Sequence, residues 1–130
     1  MSRPPDSHLD LLHRPLFAHL ATVGEDGAPR SNPMWFAYEP AENRILLTHL
    51  RTRHNYRFLK LEPRVALSIV DPDDPYRYLQ LRGVIESEQA DPEGDFYNRL
   101  QQRYRGRTAE VKDRAERVVL AVRPTAWKGR

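Results

Sequence analysis

Apolar and polar residues alternate with a period of two over most of this 130-residue chain, and three short stretches with helical spacing interrupt the alternation. Leu16–Val23 (LFAHLATV) reads as a first strand. Glu25-Asp26-Gly27 reads as a hairpin turn, since Asp-Gly supplies the positive φ angles a tight turn needs. The return strand runs over Pro29–Tyr38, and further strands are expected at Ile45–His49, Arg64–Val70, Tyr76–Glu88 and Val118–Val122. In Arg64–Val70, Val65, Leu67 and Ile69 point one way and Ala66, Ser68 and Val70 the other. In the long Tyr76–Glu88 strand, Leu79, Leu81, Gly83 and Ile85 face the core, with Tyr78, Gln80 and Arg82 in a polar line opposite. Gly83 in mid-strand predicts a bend or a close backbone approach.

Three helices complete the pattern. Asp6 or Ser7 caps Leu9–His13, which ends near Pro15. Thr52 caps Thr52–Leu61, which Pro63 stops, and Asp91 caps Pro92–Tyr104, whose stripe is Phe96, Leu100 and Tyr104. Glu39–Asn43 is a turn. Asp71–Pro75 (DPDDP) is a rigid acidic turn without the ligand spacing of a calcium loop. Residues 1–5 read as loose, Arg103–Arg107 and the polar stretch after it as loop, and Pro124–Arg130 as a tail carrying Trp127. The pattern predicts a single mainly β domain over residues 1–130: a compact six-stranded antiparallel barrel with short helices at its corners.

One strand breaks the rule of alternation. In Pro29–Tyr38, Met34, Phe36 and Tyr38 are apolar on one face and Trp35 and Ala37 on the other. Both faces therefore need cover, one from the core and the other from a ligand or a second subunit. Pro29 and Pro33 limit ladder pairing at its beginning and leave backbone groups free for a planar heterocycle.

Composition narrows the chemistry. There is no cysteine, which removes disulfides, thiolate nucleophiles and cysteine metal sites together. No apolar run is long enough for a membrane span and no signal-peptide h-region is present, so a cytoplasmic location without membrane attachment is expected. The net charge of +3 and a pI near 9.4 favour an anionic partner. The basic segment Arg103-Tyr104-Arg105-Gly106-Arg107 does not interleave aromatic and basic residues along a strand face, so no nucleic-acid partner is expected.

The basic residues with a local arrangement are those around Thr52. A capped helix attracts anions through its free N–H groups. Arg51 precedes the cap, and Arg53 and Arg57 stand four apart on one expected helix face. The stretch reads either as a phosphate-binding corner between two strands or as a solvated basic helix. No Gly-rich phosphate loop, nucleophile elbow or metal-binding histidine spacing occurs. His19 and His49 lie in strands and read as structural. A catalyst built this way needs a bound cofactor for the difficult chemistry.

The hairpin LATVGEDGAPRSNPMWF, the block RTRHNYRFLKLEPRVALSIVDPDDPYRYLQLRG and their separation resemble the pyridoxamine 5′-phosphate oxidase-like, FMN-binding split-barrel superfamily. Within it the likeness is greatest to the branch B flavin/deazaflavin oxidoreductases that use coenzyme F420. The resemblance covers roughly Leu16–Glu86, and more loosely the chain through Val122. It implies a split-barrel homodimer with two cofactor sites at the interface. The cofactor phosphate is then expected at Arg51-Thr52-Arg53-His54-Asn55, with Thr48 and Arg57 beside it, and the ring along Ser31-Asn32-Pro33-Met34-Trp35. Tyr78 and Gln80 would approach from the long strand, in one arrangement from the other subunit, and Trp127 would close over the site.

Two positions depart from the family pattern. Asn55 stands where a lysine is usual, and losing one charged contact costs on the order of 1.5–3 kcal/mol. Phe58 stands where relatives often carry Asn, a packing change. The resemblance implies an oxidoreductase passing hydride from reduced F420 to a small conjugated organic substrate, with Ser31, Tyr78 and Arg82 as candidate proton donors. Two alternatives stay open: an FMN-dependent oxidoreductase of the pyridoxamine-phosphate-oxidase type, and a non-catalytic carrier of F420, a flavin or a tetrapyrrole.

Overall fold

The computed structural model describes residues 2–130. Seven strands make one sheet in the order β2-β1-β5-β6-β7-β4-β3. They are β1 (Ala18–Val23), β2 (Pro29–Met34), β3 (Ala37–Glu39), β4 (Arg44–Leu50), β5 (Arg64–Asp71), β6 (Asp74–Ala90) and β7 (Arg117–Gly129). Every pairing is antiparallel. The sheet does not close: its edges β2 and β3 are joined through Trp35-Phe36 and not by a ladder.

The strand expected over Pro29–Tyr38 is therefore two strands, which raises the count from six to seven. β2 pairs with β1 and β3 with β4, so the chain changes partner at the two aromatics. Its double apolar character has a cause within the chain. α3 (Asp95–Arg105) covers the second face. Ala37, Leu46, Phe96, Leu100 and Ala121 form a cluster there, with Trp35 and Tyr104 packed against it. Trp35 stacks on Tyr104 at 4.8 Å between centroids, and the Phe36 N–H donates to the Tyr104 hydroxyl at 3.1 Å. Neither a ligand nor a second subunit is needed to cover this segment.

The main core lies on the other side of the sheet. Inward residues of the strands meet Leu11 and Leu12 of α1 (Leu9–His13) and Leu59 of α2 (Tyr56–Leu61). Arg103 fixes α1 by donating to the carbonyls of Leu12, His13 and Arg14 at 2.7–3.2 Å, which satisfies acceptors that a helix end leaves open. Asp91 caps α3 as expected, although from further upstream. Its carboxylate accepts from the Phe96 and Tyr97 N–H groups at 3.3 and 3.1 Å, and the helix begins at Asp95 rather than Pro92.

Both termini are more structured than their composition suggests. Residues 123–129 belong to β7, which pairs with β6 along its length. Trp127 lies opposite Leu81 on the core side and sits edge-on to Tyr38 at 6.2 Å, so it is packing and not a lid. At the other end Pro4 is buried, Arg3 donates to the Pro40 carbonyl at 3.1 Å and Asn43 to that of Ser2. Gly83 marks the expected irregularity: the β6–β7 register shifts there, and a Cβ would lie 2.6 Å from the Arg123 carbonyl oxygen. Among the described residues no helix is long and apolar enough to cross a membrane.

Candidate functional site

β2 is an edge strand, and its inward side chains Arg30, Asn32 and Met34 stand across from Thr22, Leu20 and Ala18 of β1. The turn after β4 comes up against this edge. Between them lies a cleft of about 460 Å³ lined by Arg30, Asn32, Pro33, Met34, His49, Arg53, His54 and Asn55. No carboxylate lines it, and among the described residues neither Arg30 nor Arg53 pairs with one. Two guanidinium groups outside any ion pair, beside two carboxamides, make a site for an anion.

Of the predicted residues, Asn32, Pro33, Met34, Arg53, His54 and Asn55 meet in this cleft. The others do not. Arg51 pairs with Glu88 at 3.3 Å and donates to the Ala115 carbonyl at 3.2 Å. Arg57 pairs with Glu25. Thr48 faces away and accepts from Arg117 at 3.1 Å. Ser31 lies opposite Ala21 on the other side of β2, Trp35 packs under α3, and Tyr78 and Gln80 stand opposite Val70 and Ser68 on β5.

The expected helix is also shorter. Residues 51–55 are turns closed by bonds from the Arg53 N–H to the Leu50 carbonyl and from Tyr56 N–H to Arg53, each 3.1 Å. Thr52 makes no cap, and Asn55 precedes the first helical residue. Arg53 and Arg57 therefore do not share a helix face. The anion site rests on side chains from a turn and a strand edge, not on a helix N-terminus.

Two lining residues, Arg30 and His49, escape a reading by sequence, while His54 belongs to the predicted motif. The Arg30 guanidinium carbon lies over the Phe58 ring at 4.7 Å from its centroid, a contact between segments far apart in the chain. His54 sits edge-on to the same ring at 5.0 Å. His49 shares the inward face with Ile45 and Leu47, and that period-two register was the available signal. It is 3% exposed, and the Leu50 N–H donates to its Nδ1 at 2.8 Å. Burial pushes the imidazole below the usual histidine range, with Arg53 and Arg117 adding to the effect. His19, by contrast, is exposed on β1.

In the acidic turn after β5 the Asp71 carboxylate is taken up by the chain's own donors. Asp71 is 7% exposed, and its oxygens accept from Arg77 at 2.9 Å, from Arg14 at 3.3 Å and from the Asp73 N–H at 2.9 Å.

Residues 4–130 match the pyridoxamine 5′-phosphate oxidase family. The chain belongs to that family. Among solved structures, a protein called F420 reductase is 48% identical, covers 95% of this chain and 98% of its own, and superposes with a TM-score of 0.89. A putative pyridoxamine 5′-phosphate oxidase from Listeria innocua is 17% identical, with 95% of each chain covered and a TM-score of 0.74. A conserved hypothetical protein of Mycobacterium tuberculosis is 21% identical over 96% of this family member and 83% of its own chain, at a TM-score of 0.77. No protein of curated function matches. The more distant pair shows the fold alone, while the family and the F420 reductase together support an oxidoreductase.

Proposed function

We propose that this protein is an F420-dependent reductase, with the cofactor's phosphate held in the cleft between β2 and the turn after β4. What carries the reading is 48% identity to the F420 reductase over 95% of the chain, together with a cleft that holds two arginines and no carboxylate. The donor set fits the acidic end of such a cofactor. Arg53 supplies charge-assisted hydrogen bonds and Asn55 a neutral one. The outer row of β2 backbone groups has no strand neighbour and can take the polar edge of a planar ring. Met34 and Pro33 offer that ring an apolar floor. When bound, the deazaflavin supplies a hydride to a small conjugated organic acceptor. The chain's contribution is binding, orientation and exclusion of water.

The same reading makes the protein a homodimer. The face of β1, β5 and β6 turned from the core carries His19, Ala21, Ala66, Ser68, Gln80 and Arg82, small or polar residues suited to a second copy. Packing through it would bring Tyr78 and Gln80 toward a partner's cleft. A solution mass equal to one chain would end this part of the proposal.

Membership of the pyridoxamine 5′-phosphate oxidase family keeps a second reading, in which FMN, as the split-barrel resemblance implies, fills the same cleft. Titration with F420 and with FMN, followed by fluorescence quenching, separates the two. Saturable F420 binding with FMN at least about tenfold weaker is expected, a difference of roughly 1.4 kcal/mol. Binding of FMN alone overturns the choice of cofactor. Reduced F420 that binds yet stays unoxidised across enones and quinones would identify a carrier instead.

A further inference from the structure

Phe58 is the residue around which the cleft's charge is arranged. It is 4% exposed, and three cationic or titratable groups gather on its ring. Arg30 lies over one face at 4.7 Å, Arg57 at 5.7 Å, and His54 meets it edge-on at 5.0 Å. The two arginines differ in what else they touch. Arg57 pairs with Glu25, so its charge is already answered. Arg30 makes no ion pair among the described residues, although its Nε and the Asp26 carboxylate both border Gly24, and it lines the cleft with Arg53.

A guanidinium stacked on an aromatic face keeps its in-plane N–H groups free, because the ring takes the flat side and the donors point outward. A lysine cannot do the same, since its ammonium has no flat side to stack. Arg30 comes from β2 and Arg53 from the turn after β4, so an anion between them is gripped from two separate elements.

We propose that Arg30 is an anion-binding residue of this cleft and that Phe58 is its positioning residue, holding the guanidinium flat so that its N–H edge faces the ligand. In this arrangement Arg30 supplies the positive charge that Asn55 does not. The proposal rests on the reading of the cleft as the cofactor-phosphate site, and it names which side chains set the affinity there.

The test compares the wild-type protein with Arg30→Ala, Arg30→Lys, Phe58→Leu and the Arg30→Ala/Phe58→Leu double variant, each titrated with F420. Arg30→Ala should weaken binding about 10- to 100-fold, the range for one charged hydrogen-bonding partner. Arg30→Lys should recover only part of that loss. Phe58→Leu changes no charge, yet it should weaken binding about threefold to tenfold through loss of the stacked geometry. The double variant should bind no more weakly than Arg30→Ala, because Phe58 acts through Arg30. Additive losses, or an Arg30→Ala variant that binds like wild type, would overturn the assignment.

Phe58 is buried, so Phe58→Leu could fail to fold, and a measurement on the wild-type protein covers that case. The Arg30 Nε–H proton should resonate upfield through the ring current of Phe58 and should shift when inorganic phosphate is added. An unperturbed resonance that ignores phosphate overturns the proposal. If the wild-type protein binds neither F420 nor FMN, the cofactor reading falls, and the phosphate titration still decides the role of Arg30.

Discussion

Two arginine-rich regions of this molecule look alike in sequence and behave oppositely in space. In the belt that ties α1 to the β5–β6 turn, Arg77 bonds Asp10 at 2.5 and 3.0 Å, Asp71 at 2.9 Å and the Ser7 carbonyl at 2.7 Å, and Arg14 adds Asp71 and Asp73. Arg117 likewise bonds Asp113 three times, at 2.8, 2.9 and 3.3 Å, and lies over Tyr97 at 4.3 Å. In the cleft, Arg30 and Arg53 make no ion pair among the described residues. The difference lies in the neighbours and not in the arginines. A guanidinium already matched by acids holds the fold together, while one left without them is available to a ligand.

The sharpest way to break that distinction is to delete one arginine from each set. Arg117 is 6% exposed, so Arg117→Ala removes a buried ion-pair partner together with packing on Tyr97. A stability loss of about 3 kcal/mol is expected in denaturant titration, with F420 binding unchanged in the fraction that folds. Arg53→Ala should do the reverse. Its melting curve should match wild type, while affinity for F420 falls about 10- to 100-fold, the equivalent of 1.5–3 kcal/mol. If Arg53→Ala unfolds the protein or leaves binding intact, the two sets are not distinct in kind.

That contrast also explains what could be read from the chain and what could not. The Asp26-Gly27 turn was legible, because Gly27 sits at φ +78° and Asp26 accepts from the Ala28 N–H at 3.0 Å, all within a few residues. The alternation of β5 and the capping of α3 by Asp91 were local as well. The break at Trp35-Phe36 was not, since the group that receives the Phe36 N–H is Tyr104, 68 residues along the chain. The tail looked like one because its partner β6 lies far away in sequence and the register shifts near Gly83. Within the site, Arg53 and Asn55 came from a motif, whereas the Arg51–Glu88, Arg57–Glu25 and Arg30–Phe58 contacts are tertiary. The same motif made Arg51 look like a ligand arginine, and the four-residue spacing from Arg53 did so for Arg57.

A smaller effect tests the cleft by addition. Asn55 lines it beside Arg53 and carries no charge. Asn55→Lys should tighten F420 binding by up to about tenfold, roughly 1.4 kcal/mol, and steepen its dependence on salt. An unchanged Kd would mean that the position does not face the anion.

The smallest expected effects separate the two regions by pH. In the belt, hydrogen bonds from the Asp73 N–H and then from Arg77 and Arg14 hold the Asp71 carboxyl below the usual aspartate range. That contribution to stability is complete above about pH 3.9, the value for an unperturbed aspartate, and is lost only as pH falls further. In the cleft, burial holds the His49 imidazole neutral. Below about pH 6.5 the unfolded chain takes up a proton at His49 more readily than the folded one does, so stability should decline as pH drops from there toward the lowered folded value. Acidification should thus weaken the cleft first, in mild acid, and the belt only in strong acid. His49→Gln should flatten the mild-acid decline and leave the strong-acid one, as read by denaturant midpoints across the pH range. A mild-acid decline that persists in His49→Gln would assign it to another histidine and remove the buried imidazole from the account of the cleft.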